Sequence, residues 1–158
     1  MAHQYRASVK WSRGGAAFTD QRYSRGHAWS FDGGITIPAS SSPLSVRLPY
    51  SIAEAVDPEE ALVAALASCH MLTFLYVAAK QGFVIDDYAD DAVGEMTKNE
   101  HGKLWVSKVT LSPKITFTGE KRPSPEQLDE LHHLAHEECY IANSVKSDVV
   151  VKGAMSLA

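Results

Sequence analysis

Two thiols are the residues in this chain best able to do chemistry. Cys69 lies inside the most apolar segment, Asp57-Pro-Glu-Glu-Ala-Leu-Val-Ala-Ala-Leu-Ala-Ser-Cys69-His70, and Cys139 closes a later run at Glu137-Glu138-Cys139. If two such thiols meet, one can attack an electrophile and the other can resolve the product, which is redox chemistry. Meeting requires Cα atoms within about 7 Å, which linear spacing does not fix. Singly, each has a plain explanation. A mid-helix cysteine gains nothing from a helix N-terminus and needs a neighbouring cation to ionise at neutral pH. Free cysteine is also among the most buried residue types.

The histidines offer a rival chemistry. His132, His136 and Cys139 fall along one helical face, a ligand-capable spacing for zinc to which His70 could add. The segment lacks the paired clusters of structural zinc modules, however. His132 and His133 also flank Leu131 and Leu134 on the side expected to be wet. The expectation is no metal and no other cofactor. Glu59 and Glu60 are explained by helix capping alone, and Arg22, Arg25 and Arg47 read by themselves as surface arginines.

The elements that must position these groups are legible as patterns. Residues 4–11 alternate as a half-buried strand, with Tyr5, Ala7, Val9 and Trp11 on one face. A second strand is expected at 26–32, and short extended pieces at 35–38 and 46–49. Asp57-Pro58-Glu59-Glu60 is a helix start, in which Asp57 caps, Pro58 suits the first position and the acids face the positive end of the dipole. This helix should run to about 81, where Gly82 stops it. Being apolar nearly all round, it should be enclosed. Residues 86–98 and 103–117 read as two long strands joined at Asn99–Gly102. Ser124-Pro-Glu-Gln127 opens a second helix whose buried face is Leu128, Leu131, Leu134 and Ala135. A helical turn over 141–145 and a last strand at 148–155 complete an α+β domain with mainly antiparallel sheet.

The 158 residues suit one domain spanning 1–158, and 45% hydrophobic with 22% charged content is an ordinary globular balance. A net charge of −4 with scattered basic residues argues against nucleic acid. The first residues lack a signal-peptide pattern. The run 61–79 is long enough to suggest a membrane span, but Ser68, His70 and Thr73 interrupt it and periodic strands follow, so a buried helix is expected. No membrane association and a cytoplasmic location follow, with both thiols reduced at rest.

Together these residues resemble the OsmC/Ohr family, the osmotically inducible and organic-hydroperoxide-resistance proteins. Pro58-Glu59-Glu60 followed ten residues after Glu59 by Cys69 is similar to the family's N-P-E-E-L-x-x-A-x-x-A-x-C-F signature. Cys139-Tyr-Ile-Ala-Asn-Ser-Val-Lys146 is similar to its C-P-x-S segment. Asp57 stands for the usual asparagine, His70 for phenylalanine and Tyr140 for proline.

The resemblance implies an intertwined homodimer and a thiol peroxidase. Cys69 would attack an organic hydroperoxide and become a sulfenic acid. Cys139 would resolve it as a disulfide, and an external dithiol, lipoyl-type or other, would reduce the bridge. Arg47, or alternatively Arg25, would stabilise the thiolate, with Glu59 holding that guanidinium. Leu66, Met71, Leu72 and Phe74 would form an apolar substrate wall. The alternative is a non-enzymatic stress-related protein that binds a small ligand or metal on the same fold. Ten residues of helix place Glu59 about 15 Å from Cys69. If both serve one site, either the helix start is displaced or Glu59 arrives from a second subunit, the arrangement an obligate homodimer with sites at its interface would give.

Overall fold

The computed structural model describes residues 2–157. The chain gathers into two compact units, one ending at Ala61 and the other beginning at Leu62.

In the first unit β1 (Ala7–Lys10), β2 (His27–Phe31) and β3 (Thr36–Ala39) form an antiparallel sheet in that order. Its registers pair Val9 with Trp29 and Trp29 with Ile37. The alternation that suggested a half-buried first strand is not matched by burial: every residue of β1 is exposed. The stretch 46–49 forms turns rather than a strand. It belongs to a loop closed at its base by a parallel bridge between Ala39 and Val56. The Ser40 amide donates to Val56 O, and the buried Ser40 Oγ accepts from the Ile52 amide at 3.0 Å.

Helix α1 (Pro58–Lys80) starts as its sequence dictates. Asp57 Oδ1 accepts from the Glu60 amide at 2.8 Å while Glu60 Oε2 accepts from the Asp57 amide at 3.2 Å, a reciprocal capping box. Its end is equally determined. Gly82 takes φ of 79°, its amide donates to Ala79 O, and the Phe83 amide donates to Ala78 O. This pattern satisfies the last carbonyls and is easiest for glycine.

In the second unit α1 buries a single stripe, Leu66, His70, Phe74 and Ala78, one residue per turn. The helix is therefore not enclosed. Leu72 and Tyr76 are each 61% exposed on another face. By length and hydropathy α1 could cross a membrane, yet only 22% of its most apolar window is buried.

The expected long strands exist as continuous paths, but each breaks in the middle. β4 (Val84–Asp90) passes to β5 (Val93–Lys98), β6 (Leu104–Leu111) to β7 (Pro113–Thr118), and β8 (Asp148–Val151) to β9 (Ala154–Leu157). One sheet has the order β4-β7-β9 and the other β5-β6-β8. β4 with β7 and β5 with β6 run antiparallel, while β6 with β8 and β7 with β9 run parallel. The three breaks lie at one level. Asp90 Oδ1 takes the Ser112 amide at 2.6 Å, the Lys152 amide donates to Leu111 O, and Pro113 has no amide to donate.

The stripe on α1 spans both sheets. Phe74 and Ala78 pack with Ile115, Phe117 and the second helix, α2 (Pro125–Glu138), through Leu128, Leu131 and Ala135. Leu66 packs with Val109 and Leu111, against Ile141, Ala142 and Val145. Helix α2 opens with the expected capping box between Ser124 and Gln127. Its buried face differs from the expected one. His132 is buried in place of Leu134, which is half-buried.

Gly153, at the β8–β9 break, lies against the His132 ring, and a Cβ there would fall 2.1 Å from His132 Nε2. Gly153→Ala is expected to cost about 1–3 kcal/mol by overpacking. Chemical denaturation of Gly153→Ala, His132→Ala and the double variant checks this, and a cost at Gly153 that persists without the imidazole contradicts the steric account.

Candidate functional site

Cys69 sits one residue off the buried stripe of α1, which leaves its side chain at the edge of the core, half-buried. Cys139 ends α2, where its amide still donates to His136 O and its own conformation has turned extended. A one-turn 3-10 helix over Ala142–Ser144 follows. Asn143 secures that corner: its Nδ2 donates to Glu137 O at 2.7 Å and to Cys139 O at 3.1 Å, and its amide donates to Cys139 O at 3.0 Å. Packing of Ile141, Ala142 and Val145 against the Leu66 cluster then holds the corner against α1.

The outcome is that the two thiols meet. Cys139 is 1% exposed, and its thiol lies close enough to Cys69 for the two groups to act on each other. Burial, followed by the neighbouring Cys69 thiol, pushes the Cys139 thiol up to about 11, so it holds its proton. The amides of Ala142, at 3.4 Å from Sγ, and Ile141 act in the opposite direction. Cys69 also lines an open cavity of about 910 Å³. Leu72, Val77 and Leu134 give this cavity apolar surface, and Tyr76, Lys80 and Glu138 add polar groups. The Lys80 ammonium lies 4.8 Å from the centroid of the Tyr76 ring.

A family model described as OsmC-like protein matches residues 52–153. The chain belongs to the OsmC-like family. An OsmC-like protein of unknown function from Vibrio cholerae is 51% identical over 97% of this chain and 100% of its own, with a TM-score of 0.93. An organic hydroperoxide resistance protein from Elizabethkingia anophelis superposes over 100% of this chain and 99% of its own with a TM-score of 0.71, at 16% identity. The organic hydroperoxide resistance protein OhrB of Bacillus subtilis covers 98% of each chain with a TM-score of 0.61, at 18% identity. At such identities these two likenesses speak for the fold alone. No curated protein matches the chain significantly.

The other residues singled out in the sequence fall in distinct settings. Glu59 and Glu60 separate clearly, since Glu60 closes the capping box and Glu59, half-buried, takes no part in it. Arg25 is committed to its own loop. Its Nη1 donates to Gln21 O and Tyr23 O, both at 2.6 Å, and its guanidinium lies 4.0 Å from the centroid of the Tyr23 ring. Arg47 is exposed in the closed loop, with its guanidinium 6.0 Å from the Tyr50 ring centroid.

Of the four residues expected to form an apolar wall, Leu72 lines the cavity, whereas Leu66 and Phe74 are core residues at 1% and 0% exposure. Their i, i+4 spacing with His70 and Ala78 places them on the inner stripe. Met71 is half-buried and outside the cavity lining. Sequence reasoning passed over Tyr76, Val77 and Lys80, whose positions seven, eight and eleven residues beyond Cys69 share its helical face.

The zinc arrangement does not form: among the described residues no group of three or more His, Cys, Asp or Glu side chains is placed to hold a metal. His132 instead faces inward. Its Nδ1 lies 3.1 Å from His70 Nε2, with the two rings stacked at 5.3 Å between centroids. His70 Nδ1 and His132 Nε2 have no hydrogen-bond partner among the described residues. Burial lowers both pKa values from 6.5 to about 4. The charges of His132 and His136 add to the effect on His70, and Asp129 opposes it on His132.

Between those two pH values the unfolded chain binds more protons than the folded one. Stability is therefore full above about pH 6.5, declines as pH falls towards 4 and then levels, by up to about 3 kcal/mol for one imidazole. Urea titrations across this window should show that decline. The double variant His70→Phe/His132→Leu should flatten it, and an unchanged slope would remove the pair as its cause.

Proposed function

We propose that this OsmC-like protein is a cysteine-based peroxidase that reduces organic hydroperoxides to alcohols. The observation that carries the reading is the adjacency of a thiol that lines a cavity and a buried thiol that keeps its proton. In this reading Cys69 attacks the terminal peroxide oxygen, the O–O bond breaks, and the alkoxide leaves as the alcohol after taking a proton. Cys69 is then a sulfenic acid. Cys139 displaces hydroxide from that sulfur, which leaves as water, and the product is an internal disulfide. An external dithiol returns both thiols. The apolar surface from Leu72, Val77 and Leu134 favours an organic peroxide over hydrogen peroxide.

In this reading Arg47 rather than Arg25 serves the site, since Nη1 of Arg25 is already committed to two backbone carbonyls. Glu59 is the carboxylate left over from helix capping and would hold the guanidinium. The same reading makes the protein a cytoplasmic homodimer. An apolar helix with Leu72 and Tyr76 so exposed gains from a second copy laid along it, and a two-fold arrangement would bring each Glu59 towards the other copy's Cys69.

Cumene hydroperoxide consumption coupled to a dithiol tests the chemistry. Cys69→Ser should abolish turnover, and Cys139→Ser should permit one oxidation and accumulate a sulfenic acid that dimedone traps. Arg47→Ala should slow the peroxide step by about 100-fold, and Arg25→Ala far less. Normal recycling by Cys139→Ser would end its resolving role, and the reverse ranking of the arginines would move that assignment. Sedimentation at micromolar concentration should give a dimer, and a clean monomer would refute the subunit arrangement.

A further inference from the structure

We propose that the disulfide between Cys69 and Cys139 is opened from one side only: the reducing thiol bonds to Cys69 Sγ, and Cys139 Sγ is the leaving group. This rests on the peroxidase reading above and concerns its second half, the return of the oxidised protein to the dithiol state.

Access decides first. Displacement at sulfur requires the attacking thiolate to reach the atom it bonds to. Cys139 is 1% exposed at the end of α2, beneath a corner packed on the Leu66 cluster, whereas Cys69 opens into the cavity. The leaving side is also prepared. As the S–S bond breaks, its electron pair goes to Cys139 Sγ, and the Ala142 amide already points at that atom at 3.4 Å. Burial resists a lasting charge there, so the departing sulfur takes up the proton that the reducing thiol released on ionising and becomes a thiol.

The second thiol of the external dithiol then attacks its own sulfur in the mixed disulfide. Cys69 leaves as a thiolate that takes up the proton released by the second thiol, and the reductant departs as its disulfide. Two electrons have passed from the dithiol to the protein, and the bridge has become two thiols. Asn143 is a positioning residue for this step. Its three hydrogen bonds to Glu137 O and Cys139 O hold the corner from which the Ala142 amide faces the sulfur.

Glutathione, a monothiol that cannot complete the second displacement, reports the side of attack. The full-length protein is oxidised with diamide, which needs no peroxidase activity, and then exposed to glutathione. It is quenched in acid, alkylated after denaturation and mapped by peptide mass spectrometry. The expected result is at least about ten times more glutathione on Cys69 than on Cys139, with Cys139 recovered as the alkylated thiol. Asn143→Ala should raise the Cys139 share several-fold, a ratio that loss of stability alone does not move in the folded fraction. Equal labelling, or labelling mainly on Cys139, overturns the proposal and leaves the peroxidase reading standing. An unchanged ratio in Asn143→Ala removes that residue's role. Failure of diamide to form any internal bridge removes the two-thiol reading itself, and this proposal with it.

Discussion

A helix that can bury only one residue per turn must choose which one, and in α1 that choice governs the rest of the second unit. Leu66, His70, Phe74 and Ala78 follow each other at four-residue intervals and are the buried residues of the helix. Because α-helical geometry turns about 100° per residue, fixing this stripe fixes the direction of every other side chain on α1. Cys69 precedes His70 and so lies at the border between core and cavity. A rotation of the helix by one residue would bury the sulfur in the place of His70. The stripe cannot rotate easily, since its two halves pack on different sheets, Leu66 against β6 and Phe74 against β7 and α2.

The same stripe explains why the second thiol arrives where it does. α2 is docked by Leu128, Leu131 and Ala135 on the Phe74 half, and its end is docked by Ile141, Ala142 and Val145 on the Leu66 half. The crossing between these halves carries Cys139. Behind it, the contact between His70 and His132 joins the two helices through a polar bond inside an otherwise apolar core. Such a pair contributes less to net stability than to uniqueness, because sliding either helix by a turn leaves two buried imidazoles unpaired. The cost is seen in the orphaned nitrogens and in the depressed pKa of both rings.

How much of this was readable in the residues depends on whether the signal was local. Both helix starts and the glycine stop were legible because capping is written within four residues, and the hairpin at Asn99–Gly102 was legible for the same reason. The breaks in the three strand paths were not. They depend on Asp90 meeting the Ser112 amide twenty-two residues away and on Lys152 meeting Leu111, contacts that exist only once the strands are side by side. The burial of His132 was hidden likewise, since a histidine on an amphipathic helix reads as wet until a partner such as His70 is placed opposite. Leu66 and Phe74 are a different case. Their spacing with Ala78 already marked an inner stripe, and hydrophobicity alone was too coarse to separate core from cavity wall.

The three departures from the family's signature can now be weighed by position rather than by residue type. Asp57 caps α1 as an asparagine would, through a side-chain oxygen. His70 lies in the core, where its partner is the imidazole of α2, so its neighbourhood to Cys69 in sequence is not a neighbourhood in chemistry. Tyr140 is 79% exposed at the cavity lining, beside the buried sulfur but not enclosing it. None of the three stands between Cys69 and Cys139. The residues that do control that contact are the ones holding the corner after α2, and those are backbone amides and Asn143. Amide donors survive most substitutions around them, so the fold can vary the side chains flanking its two thiols while keeping the thiols side by side.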